Sequence, residues 1–159
     1  MGLLCPPKQV IMISFVDVSL KAIFFQGRDF LWQRPAKCLR CANWIVWSHG
    51  YVQRNFEGFS VPLWLRRYRC PECGCIIQMS PSSHFSRFQS SRNAIRSALV
   101  QRISDEKWPP GQVSGRMRHW LRNLRRQIRA HLTEKWKSGL IKGFDRLAAM
   151  GHVPVSRSI

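Results

Sequence analysis

Two cysteine pairs of identical spacing, Cys38-x2-Cys41 in "CLRC" and Cys70-x2-Cys73 in "CPEC", are the residues in this sequence best suited to chemistry. Two intervening residues let the chain turn tightly enough for both sulfurs to face one ion. Two such turns complete a tetrahedral site, so the expected cofactor is one structural Zn2+. In the second pair Pro71 sets the turn, and Gly74 permits the positive φ that brings backbone N–H groups toward the sulfurs. Leu39 and Ala42 stand at the corresponding positions of the first pair. Cys75, the last residue of "RYRCPECGC", reads as a small buried residue entering a strand, with a substitute ligand or a reactive thiol as the alternatives. Cys5 has no partner nearby and takes no role, and His49 reads as a turn residue because four thiolates already satisfy zinc.

Iron and disulfides are the competing uses of these thiols. Two C-x2-C knuckles separated by a short β segment also resemble rubredoxin, an electron carrier with one thiolate-bound iron. Rubredoxins are acidic, however, whereas this chain carries 26 Lys and Arg against 8 Asp and Glu, a formal net charge of +18. A disulfide framework needs an oxidising compartment that nothing else in the chain supports.

The elements that must hold the cysteines read as β-structure. "NWIVWSHGYVQRNF" gives a strand, a turn at His49-Gly50 and a second strand; "SVPLWLRRYR" gives a third that delivers Cys70, and "CIIQM" another after it. Trp44, Trp47, Phe56, Phe59, Trp64 and Tyr68 supply the apolar packing, with stacking of unpaired bases as their alternative use. Upstream, "QVIMISF" reads as a strand, and Asp17 as the cap of a short helix over 18–26 closed by Gly27. This N-terminal piece packs on the cysteine-bearing sheet or forms a partner surface.

After "SPSSH" the pattern becomes helical. Ser90 or Ser91 caps a helix in which Ile95, Ala98, Leu99, Arg102 and Ile103 recur, ending near Ser104-Asp105. "EKWPPGQ" breaks it, and a longer helix spans about 113–132. Steps of 100° place Val113, Met117, Trp120, Leu121, Leu124 and Ile128 on one face. The same geometry gathers Arg118, Arg122, Arg125, Arg126 and Arg129 on one flank, with Arg116 on the other side. No acidic residue occurs in 113–132 to pair with them. Solvated helix faces normally mix signs, so a single-sign stripe points to a polyanion. Helix, break and longer basic helix is the order of a helix-turn-helix, although this break is longer than the tightest turns. On that basis Arg118, His119 and Arg122 reach base edges, Arg125, Arg126 and Arg129 sit on phosphates, and Gly115 allows close backbone approach. A short amphipathic helix over 140–150 and a frayed tail complete the chain.

"RPAKCLRCANWIVWSHGYVQR", "RRYRCPECGC", a Ser-rich step, a helix, "WPPGQVSGR" and an arginine helix together resemble small bacterial proteins carried with insertion sequences. Those proteins have a transposase-type zinc ribbon followed by a helix-turn-helix and no catalytic domain. The resemblance covers about 34–132 and implies zinc on Cys38, Cys41, Cys70 and Cys73 and DNA contact from the second helix. It also implies a role in transposition and a transposase or other protein partner.

The expected class is therefore α+β. Residues 1–33 form an N-terminal strand and short helix, 34–81 a zinc ribbon, 82–132 a basic helix-turn-helix-like region, and 133–159 a short helix and tail. DNA is the expected partner and RNA the alternative. Catalysis is not expected: the carboxylates Asp17, Asp29, Glu57, Glu72, Asp105, Glu106, Glu134 and Asp145 are scattered, a closed site of four thiolates leaves zinc no open position, and a Cys75 pair with His49 or His84 lacks an activating context. The apolar stretch 10–25 contains Asp17 and Lys21 and is short for a membrane span, and "MGLLCP" departs from an acylation signal at Pro6. A cytoplasmic bacterial protein, on the nucleoid when bound and not at a membrane, is the expectation.

Overall fold

The computed structural model describes residues 9–111 and 114–159. The opening "MGLLCPPK" with Cys5, and Val113 of the expected helical stripe, lie outside the described residues. The fold is α+β, and its described elements include a four-stranded sheet and four α-helices. The chain divides into two compact units, Met1–Gln89 and Ser90–Ile159.

Unit 1 holds the sheet: β1 (Ile11–Val16), β2 (Trp47–Arg54), β3 (Leu63–Arg69) and β4 (Ile76–Pro81), in the order β1-β4-β3-β2. β2, β3 and β4 are successive antiparallel neighbours, whereas β1 runs parallel to β4, Ile11 opposite Ile76 and Ile13 opposite Gln78. β4 is buried along its whole length, consistent with its central place between β1 and β3. The N-terminal strand is thus part of the sheet. Between it and β2 lies α1 (Leu20–Gln26), whose buried Ile23 clusters with Phe56, Leu63 and Leu65. Its N-cap is Ser19, whose hydroxyl accepts from the Ala22 N–H at 3.3 Å, two residues beyond the expected Asp17. The predicted closure at Gly27 is present, with φ of 56°.

The turn expected at His49-Gly50 is absent. Trp47–Arg54 is one continuous strand, and its pairing with β3 slips by one residue between Ser48 and Tyr51. An extra residue in one strand makes a β-bulge, which Gly50 accommodates at φ of 76°. A glycine between alternating residues therefore marks a bulge here and not a hairpin. The aromatic core also differs from expectation. Phe56 and Tyr68 are buried, but Trp44 is 77% and Trp47 59% exposed, and Val46, Ile77, Met79 and Cys75 fill the space instead.

Unit 2 is helical: α2 (Arg92–Asp105), α3 (Ser114–His131) and α4 (Leu140–Ala149). Ser91 caps α2, its hydroxyl accepting from the Ala94 N–H at 3.0 Å. Glu106, at φ of 57°, ends it before the Pro109-Pro110 break. Ile95, Ala98 and Leu99 are buried as their spacing requires, whereas Ile103 is exposed. On α3, Met117, Trp120, Leu124 and Ile128 are buried and Leu121 is half-buried. Gly143 of α4 lies against Ile128, where an added Cβ would stand 2.8 Å from Ile128 Cγ1. Arg96 and Asp145 join α2 to α4 through two hydrogen bonds of 2.8 Å.

The tail is not frayed. Val155 is 1% exposed. The Asn123 amide donates to the Val155 carbonyl, and Gln127 Nε2 to those of Ser156 and Ser158. Gln127 itself is buried, so the tail covers a polar flank of α3 beside its apolar stripe. The pairing is invisible to periodicity because its acceptors are backbone carbonyls.

Candidate metal centre and basic surfaces

The knuckles are built alike. In the first, the Cys38 N–H donates to the Asn43 carbonyl (2.7 Å) and the Ala42 N–H to the Cys38 carbonyl (3.0 Å). In the second, the Cys70 N–H donates to the Cys75 carbonyl (2.9 Å) and the Gly74 N–H to the Cys70 carbonyl (3.0 Å). Both turns need a positive φ at the fifth residue, which Gly74 adopts at 69° and Ala42 at 60°. The first knuckle therefore takes the glycine conformation without the glycine. The second knuckle is the turn between β3 and β4; the first sits in the loop before β2.

The four sulfurs lie within 4.8 Å of one another, and among the described residues this is the one group of three or more Cys, His, Asp or Glu side chains placed to hold a metal ion. Cys41 and Cys70 sulfurs are 3.5 Å apart, Cys38 and Cys73 sulfurs 3.7 Å. A tetrahedron of sulfurs with bonds of about 2.3 Å to zinc has edges of about 3.8 Å, so the residues fit a structural metal of that kind.

Electrostatics point the same way. Burial opposes ionisation of Cys38, but the N–H groups of Cys41 and Arg40 and the thiols of Cys73 and Cys41 outweigh it and pull its pKa down to about 6. At Cys41 the Asn43 N–H favours the thiolate, but burial and the thiols of Cys70, Cys73 and Cys38 prevail and push it up to about 12. Clustered sulfurs charge together only when a cation joins them.

Cys75 is not in the cluster. It is fully buried, its Sγ faces the Ile76 carbonyl at 3.6 Å, and burial, then the neighbouring Cys38 and Cys73, raise its pKa. His49 is exposed at the bulge.

The nucleic-acid candidates all lie on α3. Arg118, His119, Arg122, Arg125, Arg126 and Arg129 are exposed, and His119 Nδ1 is hydrogen-bonded to the Arg122 guanidinium. Arg126 donates to the Arg157 carbonyl of the tail at 3.3 Å. Arg116, on the opposite side, donates to Ser90 Oγ at 3.4 Å. Among the described residues, no carboxylate lies within ion-pair distance of the five flank arginines. Two clefts border the flank. One, of about 460 Å3, brings Arg102, Glu106, Lys107 and Trp108 beside Arg118, Arg122 and Arg125. The other, of about 380 Å3, sets Glu134 and Trp136 beside Arg125 and Arg129, the carboxylate lying beyond ion-pair distance.

Unit 1 carries a second basic surface that sequence reasoning missed. Trp64, Arg66 and Tyr68 share one face of β3, and Tyr51 of β2 pairs with Arg66. Arg28 stacks on Trp64 at 4.1 Å and reaches Tyr51 at 5.9 Å. Arg66 lies between Tyr51 (4.5 Å) and Tyr68 (5.7 Å), and Arg34 is 5.9 Å from Tyr68. The alternation Trp64-x-Arg66-x-Tyr68 was the available signal; Arg28 and Arg34 arrive from outside the strands and leave none.

No protein-family model, curated protein or solved structure matches this chain significantly. No helix among the described residues is long and apolar enough to cross a membrane.

Proposed function

We propose that this chain is a zinc-stabilised DNA-binding protein. Cys38, Cys41, Cys70 and Cys73 hold one Zn2+ in a ribbon, where the metal replaces core that so small a sheet cannot build. α2 and α3 act as a helix-turn-helix, with Arg118, His119 and Arg122 at base edges and Arg125, Arg126 and Arg129 on phosphates. The observation that carries the reading is the arginine flank of α3, exposed and with no carboxylate within ion-pair distance among the described residues. Five like charges on one helix repel one another, and a polyanion relieves that repulsion by exchanging its counterions for guanidinium groups. Non-catalytic action, residence in the cytoplasm on the nucleoid and work beside a transposase belong to the same reading, and the last rests on the resemblance alone.

The test is selection of a randomised duplex library on the zinc-loaded protein at near-physiological salt. Recovery of a defined motif is expected; retention without one would reduce the flank to a general phosphate clamp. RNA binding is the second reading, favoured by the stacked arginines of unit 1, because guanidiniums and aromatic rings together suit unpaired bases. Preference for a matched RNA over the duplex would establish it. A red purified protein would instead mark thiolate-bound iron and an electron carrier.

A further inference from the structure

Unit 1 contains a cleft of about 490 Å3 that neither the cysteines nor α3 uses. Ile11, Ile13 and Leu65 give it an apolar floor on one face of the sheet. Phe56, Phe85 and Phe88 line it, the last two in edge contact at 6.1 Å between centroids. Such walls suit a flat, unsaturated ring.

The polar groups are more selective. Gln78 is only 5% exposed yet lines the cleft. Its Oε1 accepts from Arg67 Nη2 at 3.1 Å and Nε at 3.4 Å. That fixes the carboxamide and leaves its nitrogen as the donor, and among the described residues no protein acceptor meets it. That nitrogen remains open to solvent at the cleft, where a ligand acceptor can take the place of water. Two exposed guanidiniums, Arg54 and Arg87, also line the cleft, and no carboxylate among the described residues does. The complementary ligand has an aromatic ring with an acceptor on its edge and carries negative charge.

We infer that this cleft binds a nucleotide, its base against the phenylalanine wall with an edge acceptor on Gln78 Nε2 and its phosphate on Arg54 and Arg87. The nucleotide comes either free or as a residue of a single strand; the recognition chemistry is the same. The site is independent of α3, so it can fail while duplex binding stands, and the reverse.

The test is calorimetric titration of the full zinc-loaded chain with the four ribonucleoside 5′-monophosphates, with ribose 5-phosphate and with short single-stranded oligonucleotides. At least one nucleotide probe is expected to bind, with ribose 5-phosphate weaker by about tenfold or more. Gln78→Glu keeps an oxygen for Arg67 but replaces the donor by an acceptor, and is expected to weaken binding by about tenfold or more. Should that variant fail to fold, Arg54→Gln and Arg87→Gln, both at exposed positions, are expected to lower affinity in its place. Tighter binding of the oligonucleotide assigns the site to a strand, and tighter binding of the monophosphate to a free nucleotide. Binding of neither probe, equal binding of ribose 5-phosphate, or affinity unchanged in the folded variants would overturn the inference.

Discussion

Ala42 shows how one residue carries the difference between the knuckles. At φ of 60° its Cβ crowds the following carbonyl, a strain that Gly74 avoids at the equivalent position. Ala42→Gly relieves that strain but gives the unfolded chain more freedom, so a net gain of at most about 1 kcal/mol is expected. The denaturation midpoint of the zinc-loaded protein measures it. Removing the metal acts far more strongly. Because structural zinc contributes about 10–16 kcal/mol of binding free energy in small domains, chelation is expected to unfold unit 1, visible as loss of β-sheet circular dichroism. Cys70→Ser, which removes a fully buried thiol of the cluster, is expected to do the same at zinc concentrations that saturate the parent protein.

At the scale of elements, unit 2 is held by one close approach and one docked tail. Gly143→Ala would drive a methyl into Ile128 and is expected to destabilise by about 1–3 kcal/mol. Ile128→Ala in the same chain should absorb part of that loss, so the two changes are less than additive in thermal unfolding. Deleting 153–159 exposes the surface under Val155 and removes the acceptors of Asn123 and Gln127. A loss of about 2–4 kcal/mol is expected in urea unfolding. The Arg96–Asp145 pair matters less. Its carboxyl is held below the usual range, first by the hydrogen bond from Arg96, so its contribution is complete above the ordinary carboxylate pKa and fades as pH falls through the lowered value. With both side chains near half-exposed, that contribution is below about 1 kcal/mol.

These elements also mark what can be read from a sequence. The caps at Ser91 and Gly27 and the span of α3 were legible because each depends on neighbours in the chain, and the cysteine cluster because each of its distant halves repeats one local spacing. The parallel pairing of β1 with β4, the docking of the tail and the arginines stacked on β3 were not, because each joins residues far apart through backbone groups or ring faces. Gly50 was visible, but a glycine at positive φ serves a turn and a bulge equally well.

For the whole molecule, charge is the governing quantity. The chain carries a net +18, with 26 basic residues against 8 acidic ones, and the arginine flank of α3 and the stacked guanidiniums of unit 1 concentrate part of that charge. Affinity for a duplex should therefore be set largely by counterion release and fall steeply with salt. Replacing Arg125, Arg126 or Arg129 should weaken all sequences alike, whereas Arg118 or Arg122 should also alter preference. The most direct measurement is duplex DNA affinity against salt for the zinc-loaded protein and for a variant with Arg125, Arg126 and Arg129 replaced by alanine. Weaker binding at every salt concentration is expected, with a log–log slope shallower by about 2–3 units, close to one for each phosphate that an arginine no longer neutralises. An unchanged affinity and slope in the folded variant would contradict duplex contact by this flank.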